Sequence, residues 1–238
     1  DAETAIGYDP AVYGEMAEMG WTGIIIPEAQ GGVDFGWMSL GLVVQEISHT
    51  LTASPLAISA IAASAIVAGG SEAQKAQWLP RIASGALVAT LAVDEGARHN
   101  PLAPITTSVS NGKITGSKAF VAEGDSAQLF VVAAADGLYL VDGSDAGVTR
   151  SHRAMVDFRS HAAIRFDGAA ADKLATGGET LLRDAIDRAR IITAAEMLGM
   201  AIYAFDTTLA YLKQRAQFGQ ILATFQALQH RMAGLFGE

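Results

Sequence analysis

The sequence predicts a multidomain α+β protein: an N-terminal helical domain, a central small antiparallel β-barrel or sheet domain, and the first part of a C-terminal helical bundle. Helical periodicity and capping residues come first, short apolar runs separated by turn signals follow, and a long helical pattern ends the chain. The three predicted domains span residues 1–86, 87–176 and 177–238. We expect the remaining helices of the bundle to lie beyond this sequence.

The composition indicates a folded globular protein. Of 238 residues, 50% are hydrophobic and 17% are charged, so a large core can form. The formal net charge of −9 argues against nucleic acid as a partner, because phosphate binding requires a basic surface. The lack of cysteine excludes disulfides and thiolate catalysis and is most consistent with a cytoplasmic location. The most apolar stretch, Pro55 to Ala68, is shorter than the ~20 residues that cross a bilayer, so no membrane span is expected.

Four helices are predicted in the N-terminal domain from apolar spacing and capping residues. They span about residues 10–19, 37–49, 55–68 and 72–79. Asp9 and Pro10 supply an N-cap carboxylate and a first-turn proline to the first helix. Ser71 and Gln74 form a capping box that opens the fourth helix, which we expect to break at Pro80.

The residue pattern changes at Leu87. Runs typical of strands follow at residues 88–93, 119–121, 129–132 and 163–166. Turn signals separate them at Asn111-Gly112, Asp136-Gly137 and Asp142-Gly143. These features predict a small antiparallel sheet or barrel. No G-x-G-x-x-G motif follows a strand, which disfavours a Rossmann nucleotide site.

The longest helical pattern runs from about Glu179 to Gln214. Large apolar residues recur along it at spacings of three and four, which is typical of a helix packed against other helices. They are Leu198, Ile202, Phe205, Leu209 and Leu212. Gly199 lies within this pattern, where glycine costs about 1 kcal/mol relative to alanine. We therefore expect a neighbouring helix to approach closely at Gly199. A second amphipathic helix begins near Phe225.

The connector between these two helices carries chemically specific residues. Arg215 always carries charge, Phe218 supplies an aromatic ring and Gly219 lets the backbone turn. Gln226 lies at the start of the next helix. Together these residue types suit a planar, phosphate-bearing ligand. The alternative is an ordinary helix C-terminus, at which a basic residue offsets the helix dipole and a glycine ends the helix.

The order of a helical unit, a small β unit and a helical bundle resembles that of acyl-CoA dehydrogenases. The motif that carries this resemblance is Y-x-x-x-R-x-Q-F-G followed by F-Q-x-x-Q-H, here Tyr211 to Gly219 and Phe225 to His230. Further similarities at residues 19–32, 72–80 and 194–199 extend it over nearly the whole chain.

The resemblance implies an FAD cofactor and a homo-oligomer, arranged as a dimer of dimers. In the family, the residues that match Arg215, Gln217 and Phe218 reach the FAD that is bound mainly by a neighbouring subunit. The connector would then be an intersubunit cofactor contact, and a guanidinium does suit a pyrophosphate. Gln226 matches a helix-start position near the same cofactor. Alternatively, it is an ordinary glutamine at a helix N-terminus.

The β domain departs from the family pattern near the expected flavin. The family commonly has a Thr-Glu-Pro-x-x-Gly-Ser-Asp loop, whereas this chain has Asp94 to Pro101 and lacks both family hydroxyls. Asp94 can cap or turn this loop, and Asn100 can replace a serine as a hydrogen-bond donor to the substrate. Where the family often has Lys-x-Trp-Ile-Thr, Phe120 either keeps an aromatic wall or packs as a plain strand residue. Ala122 lacks the hydroxyl expected at flavin N5.

The reaction that the resemblance implies is the α,β-desaturation of an acyl-CoA thioester, with electron-transfer flavoprotein as the electron acceptor. Arg190 matches a family arginine near the thioester end of the substrate, although Asp187 offers it a surface ion pair instead. The catalytic base is unknown, because the family's usual glutamate is expected beyond residue 238. We do not assign Glu196 to that role. The five histidines show no metal-ligand spacing, and no metal is assigned.

Two functions therefore stay open. One is a flavin-dependent acyl-CoA dehydrogenase. The other is a flavin-poor, noncatalytic subunit of a heteromeric dehydrogenase, which the missing hydroxyls at positions 94, 100 and 122 favour. The sequence has no initiator methionine and stops inside a helical pattern, so we expect a chain that is truncated at both ends.

Overall fold

The computed structural model describes residues 6–96, 103–157 and 159–237. Helices come first along the chain, strands occupy its middle and helices return at the end. This order confirms the predicted α+β class with its central sheet region. The division into domains at residues 86 and 176 stays a prediction.

Two compact units make up the chain. The first consists of Asp1–Gly41 and Ala53–Ile192, and the second of Leu42–Thr52 and Thr193–Glu238. The helices of the described residues are α1 (Pro10–Glu18), α2 (Gly36–Ser48), α3 (Leu56–Gly69), α4 (Glu72–Ala83), α5 (Gly178–Gln214) and α6 (Gln226–Gly237). The chain passes from one unit to the other inside α2, after Gly41, and inside α5, after Ile192. Each of these two helices therefore contributes residues to both units.

The predicted capping residues begin the first and fourth helices. The Asp9 carboxylate accepts a hydrogen bond from the Ala11 N–H at 2.8 Å, and Pro10 is the first residue of α1. Ser71 and Gln74 form a reciprocal capping box at the start of α4. The helix before α4, α3, is buried along most of its length, as its nearly continuous apolar sequence predicts.

The predicted break at Pro80 is wrong, because α4 continues to Ala83. A proline inside a helix removes one backbone hydrogen bond and costs about 3 kcal/mol. The Pro80 ring is exposed to solvent, while Leu79 and Ile82 are fully buried. Burial of each of these side chains contributes about 1.5–3 kcal/mol, which offsets the proline and keeps the helix intact.

Two open four-stranded sheets form the β region of the described chain. Their strands are β1 (Ala89–Ala92), β2 (Ser108–Ser110), β3 (Lys113–Ala122), β4 (Leu129–Ala134), β5 (Gly137–Asp142), β6 (Val148–His152), β7 (His161–Ala170) and β8 (Asp172–Lys173). One sheet has the order β1-β4-β5-β8 and the other β2-β3-β7-β6. Neighbouring strands are antiparallel except for β1 and β4, which are parallel. Asn111 and Gly112 connect β2 to β3 with φ of 52° and 70°, as the turn signal predicts.

The close helix approach predicted at Gly199 is confirmed within the second unit. A Cβ atom at this position of α5 would collide with the Ser48 Oγ atom and the Gln45 backbone carbonyl of α2. Nearby, the His49 and Tyr203 rings stack with their centroids 6.2 Å apart. Glycine is therefore required here by the neighbouring helix rather than by the conformation of its own backbone.

Part of the predicted apolar seam of α5 faces a groove beside α6. Leu198, Ile202 and Phe205 line this groove, which has a volume of about 720 Å³. Met232 and Leu235 of α6 line it as well. Both helices thus direct apolar side chains to one space, as their spacing predicts.

Candidate functional site

The predicted site residues fall into two groups on different units. The group on the first unit is Asp94, Phe120, Ala122 and Arg190, and the group on the second unit is Arg215, Gln217, Phe218 and Gln226. Asn100 lies outside the described residues.

The connector after α5 is a β-hairpin. Its strands β9 (Ala216–Gln217) and β10 (Gln220–Ile221) pair antiparallel, with Gln217 opposite Gln220. Phe218 and Gly219 form the loop between them, with φ of 54° and 79°. Two successive positive φ angles are what a type I′ turn requires, and that turn normally takes Asn-Gly or Gly-Gly.

Phe218 is an unusual residue for this turn. A non-glycine residue held at positive φ costs of order 1–3 kcal/mol, and a bulky side chain is the least suited to it. Its side chain is 88% exposed, and its ring meets the Phe225 ring edge-on with centroids 6.4 Å apart. The hairpin therefore presents an aromatic ring to solvent despite backbone strain, a combination that is common at ligand contacts.

Arg215 connects the end of α5 to the hairpin. Its N–H donates to the Tyr211 carbonyl at 2.9 Å, and its carbonyl accepts from the Leu222 N–H at 2.8 Å. The guanidinium is exposed and forms no ion pair with any residue in the described ranges. Gln217 and Gln226 are exposed as well, and Gln226 begins α6. The backbone of Arg215 is fixed while its charged group stays available to a ligand.

The strain at the turn leads to a first prediction. Phe218→Asn is expected to raise the free energy of unfolding by about 1 kcal/mol, because Asn-Gly adopts the type I′ turn with little strain. Phe218→Ala is the matched control, since alanine removes the ring but does not relieve the positive φ. Chemical denaturation of both variants measures the difference. Equal stability of the two variants would show that the turn stores no such strain.

In the first unit, hydrogen bonds link the end of β1 to β3. The Ala119 N–H donates to the Asp94 carbonyl at 2.7 Å. The Thr90 Oγ1 atom donates to the Ala122 carbonyl at 2.6 Å. The structure thus brings together Asp94 and the strand that carries Phe120 and Ala122, three of the predicted cofactor contacts.

Phe120 lies in an irregular part of β3. The register between β3 and β7 shifts between Lys118 and Val121, and such bulges re-aim side chains and are common beside active sites. The Phe120 side chain is 37% exposed, and the Arg153 guanidinium carbon lies 4.7 Å from the centre of its ring. Phe120 is therefore a partly exposed ring beside a cation and not a core residue of the sheet.

An ion pair between a fully buried Lys118 and a partly exposed Glu95 lies beside this part of β3. Lys118 is 0% exposed, and its Nζ atom donates to Glu95 Oε1 at 2.8 Å and to the Val93 carbonyl at 3.0 Å. Burial lowers the pKa of Lys118, while Glu95 opposes this shift. Burial alone would raise the pKa of Glu95, but hydrogen bonds from Lys118, Thr106 and Thr107 lower it to about 2. The Glu95 carboxylate is thus ionised at neutral pH and lies against the amino group of Lys118.

Glu123 follows Ala122 directly and is also buried, with 6% exposure and φ of 56°. The Ser126 Oγ atom donates to its carboxylate at 2.7 Å, and the Glu123 N–H donates to the Ser160 carbonyl at 2.7 Å. Burial raises the pKa of Glu123 to about 7, although Ser126 and Arg159 favour the ionised form. A titratable carboxyl therefore lies next to the predicted flavin position.

Arg190 lies on α5 and forms an ion pair with Asp187 at 2.8 Å. The two side chains are 61% and 64% exposed, so the pair contributes at most about 1 kcal/mol. The alternative contact predicted for Arg190 is therefore present. Its role toward the substrate stays a prediction.

The described residues show neither a metal site nor a membrane helix. Within 6–96, 103–157 and 159–237, no three His, Asp or Glu side chains are grouped so that they could hold a metal ion. None of the helices described has the length and apolar character needed to cross a bilayer.

Comparison with known proteins gives two matches of one family at opposite ends of the chain. The family description "Acyl-CoA dehydrogenase, N-terminal domain" matches residues 1–86, and "Acyl-CoA dehydrogenase, C-terminal domain" matches residues 176–236. The chain belongs to the acyl-CoA dehydrogenase family. Acyl-CoA dehydrogenases are FAD-dependent oxidoreductases, which is the enzyme class and the cofactor that the sequence predicts.

Three relatives are 25% to 30% identical to this chain over the aligned residues. It is 30% identical to (2S)-methylsuccinyl-CoA dehydrogenase of Cereibacter sphaeroides, over 92% of this chain and 46% of that protein. The Tcur3481-Tcur3483 steroid ACAD is 30% identical with a TM-score of 0.89, over 98% of this chain and 65% of that one. The ChsE4-ChsE5 complex of Mycobacterium tuberculosis is 25% identical with a TM-score of 0.88, over 98% and 65%. The chain thus spans about half to two thirds of the length of these relatives.

The residues of the hairpin fit an FAD molecule better than those of β3. An exposed guanidinium without an ion-pair partner in the described ranges suits a pyrophosphate, and an exposed ring suits a planar group. On β3, the Ala122 side chain has no hydrogen-bonding group, and its carbonyl already accepts from Thr90. In the second unit, Arg215, Gln217, Phe218 and Gln226 are the residues that could hold the cofactor. In the first unit, Phe120 is the residue that could contribute an aromatic wall.

Sequence reasoning missed Glu95, Lys118 and Glu123. For Lys118 a signal exists, because strand alternation places it on the same face as Ile114, which is buried. A lysine on the inward face of a strand implies a buried partner. For Glu123 the pattern holds no comparable signal, since its burial depends on Ser126 and Ser160 and therefore on the fold of two loops.

Proposed function

We propose that the protein is an FAD-dependent acyl-CoA dehydrogenase that catalyses the α,β-desaturation of an acyl-CoA thioester. The observation that carries this proposal is the strained hairpin that presents Phe218 to solvent next to the available guanidinium of Arg215. Membership of the family supplies the reaction class. The hydrogen bonds from Ala119 to Asp94 and from Thr90 to Ala122 give the proposal a second support in the first unit.

The described residues have the following roles in this proposal. FAD, when bound, supplies the hydride acceptor. Arg215 binds its pyrophosphate through the guanidinium fork, and Phe218 packs against the cofactor. Phe120 forms part of the wall beside the substrate, and Arg190 lies toward the thioester end. A carboxylate removes the α-proton of the substrate, and none of the acidic residues here is assigned that role.

The assembly that we propose is a homo-oligomer arranged as a dimer of dimers, in which the hairpin of one subunit contacts the FAD bound mainly by its neighbour. The side chains of Arg215, Gln217 and Phe218 are exposed and are therefore available for this contact. Electron-transfer flavoprotein is the proposed electron acceptor and the cytoplasm the proposed location. The proposed acceptor rests on the family, and the proposed location rests on the composition.

The absorption spectrum of the purified full-length protein tests the proposed function. We expect the yellow flavin chromophore to remain bound through gel filtration and to bleach when an acyl-CoA substrate is added anaerobically. A protein that is expressed alone, folded and colourless, even after incubation with FAD, would contradict a homomeric acyl-CoA dehydrogenase.

The role of Arg215 leads to a second prediction. Arg215→Ala is expected to weaken FAD retention by about tenfold or more and to shift tetramers toward smaller species, because a charge-assisted contact to pyrophosphate is lost. Arg215→Lys should recover only part of the affinity, since lysine lacks the bidentate fork. Arg231→Ala removes another exposed arginine of the same unit and serves as the control. Unchanged FAD content and native mass in Arg215→Ala would rule out the intersubunit role.

A noncatalytic subunit of a heteromeric acyl-CoA dehydrogenase is the second candidate. Ala122 and Asp94 lack the hydroxyls expected at the flavin, and two of the similar structures carry names with two components, Tcur3481-Tcur3483 and ChsE4-ChsE5. In this case the protein would be colourless alone and would be found with flavin only in a complex with a second acyl-CoA dehydrogenase chain. Native mass spectrometry of the protein from its own organism distinguishes the two candidates.

A further inference from the structure

Glu95 connects three segments of the first unit through one carboxylate. Its Oε2 atom accepts from the Thr106 N–H at 2.7 Å and from the Thr106 Oγ1 at 2.6 Å. Its Oε1 atom accepts from the Thr107 N–H at 2.9 Å and from Lys118 Nζ at 2.8 Å. The segment after β1, the segment before β2 and the strand β3 therefore meet at this one group.

Lys118 completes the connection from the side of β3. Its fully buried ammonium group also donates to the Val93 carbonyl, the first residue after β1. One residue further along each segment, the Ala119 N–H donates to the Asp94 carbonyl. The position of Asp94 relative to β3 is thus set by contacts on both sides of it, and Phe120 follows directly on the strand.

Stability alone does not account for such a pair. Removing the charge of Lys118 from water costs several kcal/mol, and ion pairs with a buried member can often be replaced by uncharged groups without loss of stability. What this pair does supply is a fixed geometry, because the Glu95 carboxylate accepts four hydrogen bonds and the Lys118 amino group donates two. This pair fixes the strand segment that carries Phe120 and Ala122 to the segment that carries Asp94.

We propose that Lys118 and Glu95 are positioning residues that hold Asp94, Phe120 and Ala122 in the arrangement that receives the flavin. The proposal rests on the proposed function, in that it assigns these three residues to the flavin site. Neither member of the pair needs to touch the cofactor, since both act through the strands that they join.

Three variants of the full-length protein test this proposal: Lys118→Met, Glu95→Gln and the double variant. Lys118→Met leaves the partly buried Glu95 carboxylate without its cation, so it is expected to lower the melting temperature. The double variant removes both charges and is expected to recover most of that loss. A glutamine at position 95 has one acceptor oxygen, however, so at least one of the Thr106 and Thr107 amides loses its partner even in the double variant.

Two readouts separate positioning from stability. Hydrogen exchange of the Thr106 and Thr107 amides, measured without added FAD, is expected to accelerate about tenfold in Glu95→Gln and in the double variant, the effect of one lost charge-assisted hydrogen bond. The dissociation constant for FAD is expected to rise by about tenfold or more in all three variants, with a changed absorption spectrum of the bound flavin. Lys113→Met, an exposed lysine on the same strand, is the control and should change neither.

The exchange rates and the FAD affinities together distinguish a positioning role of the Lys118–Glu95 pair from a purely structural one. Normal amide exchange and normal FAD affinity in the double variant, together with a recovered melting temperature, would overturn the proposal and leave the pair a structural role only. Faster exchange with unchanged FAD affinity would overturn it too. If the wild type bound no FAD under any condition, the proposed function would fail, whereas the exchange data would still report whether the pair orders these segments.

Discussion

Above a pH of about 7, Glu123→Gln is expected to be more stable than the wild type by about 2–3 kcal/mol. Glu123 is buried, and its folded-state pKa of about 7 lies well above the ordinary value of 4.5. Glutamine has nearly the same shape and can still accept the hydrogen bond from Ser126. It therefore removes the cost of burying a charge and keeps the contact.

The direction of the effect follows from proton linkage. Between pH 4.5 and about 7 the folded protein holds a proton on Glu123 that the unfolded chain has released. The free energy of unfolding therefore falls as the pH rises through this window, and the full penalty is present above it. Below pH 4.5 the carboxyl is neutral in both states, so the wild type and Glu123→Gln should be equally stable there.

Denaturation curves recorded across this pH range measure the difference between the two proteins. Other titratable groups interact with Glu123, namely Asp125, Arg159, Tyr8 and Tyr13, and they remain in both proteins. Glu15→Gln, on the exposed side of α1, is the control and should show no such pH dependence. A constant difference between the wild type and Glu123→Gln at every pH would show that Glu123 does not titrate in this window.

Gly199→Ala is expected to destabilise the second unit by about 2 kcal/mol. The added methyl group would collide with the Gln45 carbonyl and the Ser48 Oγ atom of α2. Overpacking of this kind costs about 1–3 kcal/mol or more, and a backbone carbonyl cannot rotate out of the way as a flexible side chain can. The higher helix preference of alanine, about 1 kcal/mol, offsets only part of the cost.

Gly234→Ala provides the matched control for this substitution. Gly234 lies on α6 in the same unit, and a Cβ atom there would meet no atom within 4 Å. This variant should therefore gain about 0.5–1 kcal/mol from helix preference alone. Hydrogen exchange of the α2 residues from Leu42 and of the α5 residues from Thr193 follows the second unit separately from the first. A Gly199→Ala protein with exchange as slow as that of the wild type would contradict the close packing of these helices.

Local rules account for much of the fold because the relevant interactions lie close together in sequence. The caps at Asp9 and Ser71 each act within three residues, and both begin helices as predicted. Gly199 could be interpreted from sequence because a helix interior offers glycine no local advantage. Pro80 shows the limit of such rules, since the burial of its neighbours outweighs a local preference that sequence alone would follow.

The candidate site was less predictable because long-range contacts build it. The family motif predicted Arg215 and Phe218 as cofactor contacts, yet a Phe-Gly pair gives no hairpin signal, since phenylalanine disfavours the positive φ that the turn requires. Glu95 and Lys118 are 23 residues apart, and no local pattern connects an acidic loop residue to a lysine on a later strand. The roles of Asp94, Ala122 and Arg190 stay predictions.

The parallel pairing of β1 with β4 affects how the chain folds. β1 lies at the edge of its sheet, and its partner begins at Leu129, after the chain has passed through β2 and β3 in the other sheet. Pairings between distant segments require loop closure before they contribute stability, and they slow folding. During synthesis, α3 and β1 therefore emerge from the ribosome well before β4, the strand that pairs with β1. We expect the first unit to become protected from proteases only after β4 and β5 have left the ribosome.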